Sequence, residues 1–91
     1  MYEITDYTKQ RAKEYGVQVR PSTNKKKKID VFSNGAKIAS IGASGYKDYP
    51  SYAMERGKAY ADERRRLYHI RHRRNIEKTG SPGFWAGVLL W

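Results

Sequence analysis

The sequence contains no cysteine, which excludes disulfide bonds, thiolate metal sites and cysteine nucleophiles. It has no apolar run long enough to cross a bilayer, and we expect neither a secretory signal nor a membrane span. Acidic residues are scarce: 9 Asp and Glu stand against 19 Lys and Arg, so the formal net charge is +10. This excess of positive charge on a small body indicates a polyanionic partner, most often nucleic acid.

The chain has 91 residues, of which 38% are hydrophobic and 13% aromatic. This length is typical of one small domain, and the aromatic content is too high for a disordered chain. Because no repeat or linker is visible, we predict a single domain over residues 1–91. A domain of this size buries only about 60% of its unfolded surface, so we expect low stability and a place in a larger assembly.

A β-hairpin is the clearest local signal. Asn34-Gly35 is the pair preferred where both central turn residues need a positive φ, and it separates strands predicted over Lys27–Ser33 and Ala36–Ile41. An apolar–polar alternation at Val17 and Val19 predicts a third, shorter strand, so residues 17–45 form a sheet of two or three strands. The apolar side chains assigned to this hairpin are Ile29, Val31, Ile38 and Ile41.

Helices are predicted before and after this sheet along the chain. The first occupies residues 1–16 and is capped by Thr5 or Asp6. A helical region over residues 48–76 begins at the cap Asp48. Within it, Gly57 is expected to kink the helix or to separate a second, longer helix from Lys58 to Asn75. The predicted fold class is α+β: an antiparallel hairpin packed with an N-terminal helix, a long Arg-rich helix and a short apolar C-terminal helix.

The basic residues form three runs, one before the hairpin and two on the long helix. Arginine presents a planar donor fork that fits phosphate, and its charge is permanent. The alternatives are that the arginines form a solvated helix face and that the lysines protect a strand edge from aggregation. Arg65, Arg66, Arg73 and Arg74 are expected to be exposed. The predicted anion-binding or nucleic-acid-binding residues are Lys25, Lys26, Lys27, Lys28, Arg64, Arg65, Arg66, Arg71, Arg73 and Arg74.

Aromatic residues are interleaved with these arginines. Tyr60, Tyr68, His69 and His72 could stack on bases or donate to phosphates, but tyrosines at helical spacing are more often part of a core. We therefore assign Tyr60 and Leu67 to the core.

The C-terminal segment over residues 80–91 is short and apolar, and Ser81-Pro82 is expected to cap its helix. Its large side chains have two interpretations. They pack over the hairpin and complete the core, which we favour, or they dock into a neighbouring subunit. These residues are Phe84, Trp85, Leu89 and Trp91.

Catalysis is not indicated. His69 and His72 have the spacing to share a metal ion, but a zinc hydrolase helix needs a different spacing and a third ligand. The Gly42–Gly45 turn lacks the phosphate-loop pattern and is better explained as a tight exit from a strand. We therefore predict a protein that is not an enzyme, with no catalytic residue, metal, cofactor or small-molecule substrate. A small nuclease-like enzyme is the third and least favoured alternative.

Several short motifs resemble a family of small uncharacterised proteins encoded by large DNA viruses of algae and amoebae and by some aquatic phages. The resemblance covers Lys27 to Trp91 and excludes the first 26 residues. It implies a viral origin and a domain of a hairpin with helices, but it supplies no catalytic residues. The motifs are Val31-Phe32-Ser33-Asn34-Gly35, Ile41-Gly42, Gly45-Tyr46-Lys47-Asp48-Tyr49, Arg71-His72, Gly83-Phe84-Trp85 and Leu89-Leu90-Trp91.

Together these observations predict a small, basic, non-enzymatic viral structural protein, such as a minor capsid component. Its Arg-rich helix would contact nucleic acid or an acidic capsid surface, and its location would be the virion, otherwise the host cytoplasm or nucleus. The alternative is a free nucleic-acid-binding accessory protein. In that case most of the affinity would come from counterion release, and sequence specificity would be low.

Overall fold

A computed structural model describes residues 2–91, which form an α+β fold of three antiparallel strands and five helices. The sheet order is β1-β2-β3, so the third strand is present beside the predicted hairpin. In chain order the elements are α1 (Asp6–Glu14), β1 (Gln18–Pro21), β2 (Lys27–Ser33), β3 (Ala36–Ala43), α2 (Tyr49–Arg56), α3 (Lys58–Arg71), α4 (Arg73–Glu77) and α5 (Pro82–Leu89).

The hairpin turn has the backbone that its sequence predicts. Asn34 and Gly35 both have positive φ, 52° and 81°. The register pairs Ile29 with Ile41 and Val31 with Ala39, and it then shifts at a β-bulge. Because the bulge inserts one extra residue, Ile38 is 41% exposed and Ala39 takes the buried position. The expectation that Ile38 belongs to the apolar side of the hairpin was therefore wrong.

Three of the predicted helix caps are confirmed. Thr5 Oγ1 accepts a hydrogen bond from the Thr8 amide, Asp48 Oδ1 from the Ser51 amide and Ser81 Oγ from the Phe84 amide. In each case the side-chain oxygen pairs an amide that the helix itself leaves without a partner. Gly57, with φ 89°, separates α2 from α3.

The long helix is shorter than the sequence predicts. It ends at Arg71, and His72 connects it to the separate helix α4. The break brings α4 against α5, where a Cβ added to Gly87 would lie 2.7 Å from Cγ1 of Ile76. The packing between α4 and α5 is a tertiary contact, which the local sequence pattern does not contain. The pattern therefore predicts one continuous helix.

The core lies between one face of the sheet and the helices α1 and α5. Its most deeply buried apolar side chains are Ile29, Val31, Ile41, Leu89 and Leu90. Trp85 is buried there, while Phe84 and Trp91 are partly buried against the same cluster. The C-terminal segment thus packs on the chain's own core, as the favoured interpretation expects. Tyr60 is 41% exposed, so its assignment to the core was wrong; the neighbouring Ala61 is buried instead.

No helix within residues 2–91 combines the length and the apolar character that a membrane crossing requires.

Candidate nucleic-acid interface

The four lysines that lead into the hairpin differ in their exposure to solvent. Lys25, Lys26 and Lys27 are exposed, whereas Lys28 is 7% exposed. The Lys28 Nζ lies 3.1 Å from Asp48 Oδ2 and also donates to the carbonyl of Tyr46. The prediction that Lys28 binds an external anion was therefore wrong, because its charge is already paired inside the protein.

Asp48 is the centre of this buried polar cluster. Its carboxylate accepts a 2.7 Å hydrogen bond from the Tyr2 hydroxyl and caps α2 through Ser51. Burial acts to raise the pKa of Asp48, but the hydrogen bonds from Tyr2 and Ser51 and the charge of Lys28 outweigh it, so the net pKa is lowered. Burial and the Asp48 carboxylate together raise the pKa of Tyr2. The cluster therefore joins the N-terminal segment, β2 and α2, which is a structural role.

The six arginines of α3 and α4 differ in whether they form an ion pair. Three of them pair with carboxylates of the chain itself: Arg65 with Asp62 at 3.3 Å, Arg66 with Glu63 at 2.6 Å and Arg73 with Glu77 at 2.9 Å. These pairs are local, since the partners lie three or four residues apart on the helix. The predicted exposure holds for Arg66, Arg73 and Arg74.

Arg65 does not lie free on the surface as the sequence suggested. Its side chain is 34% exposed, and its guanidinium stacks 4.1 Å from the centre of the Tyr49 ring. Tyr49 in turn donates a 2.8 Å hydrogen bond to Asp62. Arg65 therefore fastens α3 to the start of α2, and a polyanion would have to break these contacts to use it.

Arg64 and Arg71 behave differently. They are seven residues apart, which places them on the same side of α3. Within residues 2–91 neither has a carboxylate within ion-pair distance. Arg64 packs its guanidinium 5.3 Å from the centre of the Tyr52 ring. Two positive charges on this side of the helix are thus left without an internal counter-charge.

These two arginines line a groove of about 530 Å³ between the end of β3, the α2–α3 pair and α5. Lys27 lines the same groove and also has no carboxylate partner among the described residues. Lys28 and Lys47 are present too, but they pair with Asp48 and Glu55. We call this feature the cationic groove, defined by Lys27, Arg64 and Arg71.

Aromatic rings form one wall of the cationic groove. Tyr68 stacks on Trp91 with ring centres 4.4 Å apart and on His72 with ring centres 4.2 Å apart. Tyr52 packs on Trp91 at 6.1 Å. Burial raises the pKa of Tyr68. We call the rings of Tyr52, Trp91, Tyr68 and His72 the aromatic stack; all four line the groove and are partly buried.

The other candidate features do not form sites. His69 meets Tyr68 edge-on, and burial together with the charge of Arg65 lowers the pKa of His69. No cluster of three His, Asp or Glu side chains in the part of the chain that the structure describes could hold a metal ion. Gly42 has φ 79°, and a Cβ there would lie 2.8 Å from Leu90 Cδ1. Packing therefore explains the glycine at this turn.

Sequence reasoning named Lys27, Arg64 and Arg71 separately but missed their convergence. The spacing of seven between the two arginines was available as a signal, because it places both on one side of a helix. The position of Lys27 opposite that side depends on how the sheet packs against the helices. No local pattern contains that information.

Residues 17–53, less than half of the chain, match a family described as "Family of unknown function (DUF5754)". The matched region contains the whole sheet, Asp48 and the first part of α2, but it excludes α3 and the C-terminal segment. No curated protein and no solved structure matches the chain. The family description names neither a function nor a source, so the viral resemblance stays a prediction.

Proposed function

We propose that this protein binds nucleic acid without sequence specificity and without catalysing a reaction, by holding the phosphate backbone in the cationic groove. The observation that carries the proposal is the convergence of Lys27, Arg64 and Arg71, none of which has a carboxylate partner in residues 2–91. Arginine forks and a lysine ammonium are the donors that phosphate oxygens accept. The net charge of +10 would attract the polyanion from a distance.

Low sequence specificity follows from the kind of contacts that the groove offers. Phosphate contacts fix the position of a nucleic acid but carry no sequence information. Helix α3 contains neither Asn nor Gln, the side chains that read adenine through paired hydrogen bonds. Binding of this type is governed by counterion release and weakens steeply as salt is added.

The chain offers a matched pair of variants for a test. Arg64→Gln with Arg71→Gln removes two charges from the groove, whereas Arg66→Gln with Arg73→Gln removes two charges from the ion-paired side. We would measure binding of a fluorescent 20-nucleotide DNA by anisotropy at several salt concentrations. The groove variant should reduce the slope of log K against log salt by about 0.7 for each arginine on a single strand. The control variant should bind much more like the unmodified protein.

Equal losses for the two variants would mean that net charge alone drives binding, and the groove would be rejected as the contact surface. Unchanged binding by the groove variant would have the same consequence. Far-UV circular dichroism of both variants shows whether the fold is retained.

A structural role in a virion is the second part of the proposal, and the resemblance described above is its support. Such a component would use the same groove against packaged nucleic acid or against an acidic capsid surface. Mass spectrometry of purified particles with and without nuclease treatment separates these cases. A protein held by the genome is lost with nuclease, whereas one held by the shell stays in fixed proportion to the capsid protein.

A further inference from the structure

We propose that the cationic groove takes a single strand, with one base stacked on the ring of His72, the phosphate beside that base held by Arg71 and a more distant phosphate of the same strand held by Arg64. This inference rests on the function proposed above and specifies the form of nucleic acid. It depends on the order of the aromatic rings along the groove, on the position of the free cations beside them and on the shape of the groove.

The aromatic stack ends at His72. Tyr68 is in face contact with two rings, Trp91 at 4.4 Å with planes 5° apart and His72 at 4.2 Å with planes 23° apart. Tyr68 is thereby occupied, while His72 has one stacked neighbour, is only partly buried and lines the groove. A base placed on His72 would continue the stack. Base–aromatic stacking accepts any base, which agrees with low sequence specificity.

The opposite end of the aromatic stack carries a cation. The Arg64 guanidinium packs on the face of Tyr52, with 5.3 Å from the guanidinium carbon to the ring centre. A guanidinium that lies over a ring keeps its planar edge of N–H donors available to a phosphate. Arg71 directly precedes His72 and lines the same groove. One phosphate donor, Arg71, therefore lies beside the proposed base position, and a second, Arg64, lies at the far end of the ring series, where a strand that follows the groove would meet it.

A single strand fits this arrangement better than a duplex. In a duplex each base is covered on both faces by its neighbours, so no face is available to His72. A helix that reads DNA must project into a major groove about 12 Å wide. Here α3 packs along α2, and its free arginines line a concave surface with β3 and α5 instead. A duplex would meet only the rim of the groove.

The test compares two single-stranded probes of equal length and charge. A 12-nucleotide oligo(dA) and a 12-residue abasic strand are titrated into the unmodified protein at one salt concentration. We expect oligo(dA) to bind at least fivefold more tightly than the abasic strand, because one stacked base contributes at least that factor. Equal affinity for these two strands would overturn the inference without the use of any variant.

Substitutions then locate the stacking contact. His72→Ala should reduce oligo(dA) affinity about fivefold or more and leave abasic affinity nearly unchanged. His72→Phe, which keeps a ring, should retain the preference for oligo(dA) over the abasic strand. His69→Ala is the control, because His69 lies in the last turn of α3 and does not line the groove. An equal loss on both strands in His72→Ala would show that His72 contributes charge or structure and would reject stacking.

The two proposals fail in distinguishable ways. In one outcome, the unmodified protein binds both strands equally while Arg64→Gln with Arg71→Gln weakens the binding of both strands. That result would support phosphate binding in the groove and reject base stacking on His72. If the unmodified protein binds neither strand, the proposed function itself is wrong.

Discussion

The ammonium group of Lys28 lies 3.1 Å from the Asp48 carboxylate, and the two side chains are only 8% and 1% exposed. This is a buried ion pair between β2 and the start of α2. Breaking such a pair by removing one partner leaves the other charge buried and unpaired, which is much more costly than the loss of a surface pair.

Lys28→Met should therefore lower the free energy of unfolding by about 3–5 kcal/mol. The exposed neighbour gives the control: Lys26→Met should change it by less than about 0.5 kcal/mol. Urea unfolding followed by circular dichroism measures both. Similar small effects at the two positions would mean that Lys28 is not buried as described.

Acid should destabilise the fold through Asp30 and Asp48. Burial acts to raise the pKa of Asp30, but hydrogen bonds from Ser22 and Ser40 outweigh it and bring the pKa below the ordinary 3.8. The pKa of Asp48 is also lowered. A carboxyl whose pKa is lower in the folded state stabilises the fold above its unfolded pKa, and this contribution is lost as the pH falls through the folded pKa.

The free energy of unfolding should consequently decrease as the pH falls below about 4. Asp30→Asn removes one of these titrating groups, so its stability should depend less on pH in that range. Urea midpoints measured between pH 6 and pH 2 give the comparison. Parallel pH profiles for the two proteins would contradict the assignment.

Gly42→Ala should be more damaging than Gly45→Ala. Both glycines have positive φ, at 79° and 87°, so both substitutions carry backbone strain of about 1 kcal/mol. Only at Gly42 does the new methyl group meet other atoms, with Leu90 Cδ1 at 2.8 Å; nothing lies within 4 Å at Gly45. The extra cost of overpacking is about 1–3 kcal/mol. Thermal unfolding of the two variants measures the difference, and equal costs would show that Leu90 moves away freely.

Trp91→Ala should remove the central ring contact between Tyr52 and Tyr68. Because Trp91 is only partly buried, the expected loss of about 2–3 kcal/mol is smaller than that for a fully buried tryptophan. The near-ultraviolet circular dichroism of the stacked rings should weaken as well. Trp91→Phe is the control and should keep most of both properties; a Trp91→Ala variant of unchanged stability would mean that the stack contributes little to the fold.

Local features were predictable because their causes are local. The Asn34-Gly35 turn and the caps at Thr5, Asp48 and Ser81 each depend on residues within three positions along the chain. For the same reason the predicted strand bounds agree closely with the structure.

Errors arose where a residue's environment is set by distant contacts. Lys28 looks like its exposed neighbours until Asp48, 20 positions later, is placed beside it. The exposure of Ile38 follows from a bulge that the alternation pattern does not contain. Arg65 finds its ring partner on another helix. The cationic groove belongs to the same category, since its walls come from three separate parts of the chain.

Trp91 serves two surfaces at once. The indole packs against the hydrophobic core and also forms part of the wall that a bound strand would touch. A ligand in the groove would therefore contact Trp91, the same side chain that helps to hold the C-terminal segment against the core. Occupancy and folding are then thermodynamically linked: a ligand present at 100 times its Kd adds about 2.7 kcal/mol to the stability of a domain whose small size leaves it little margin.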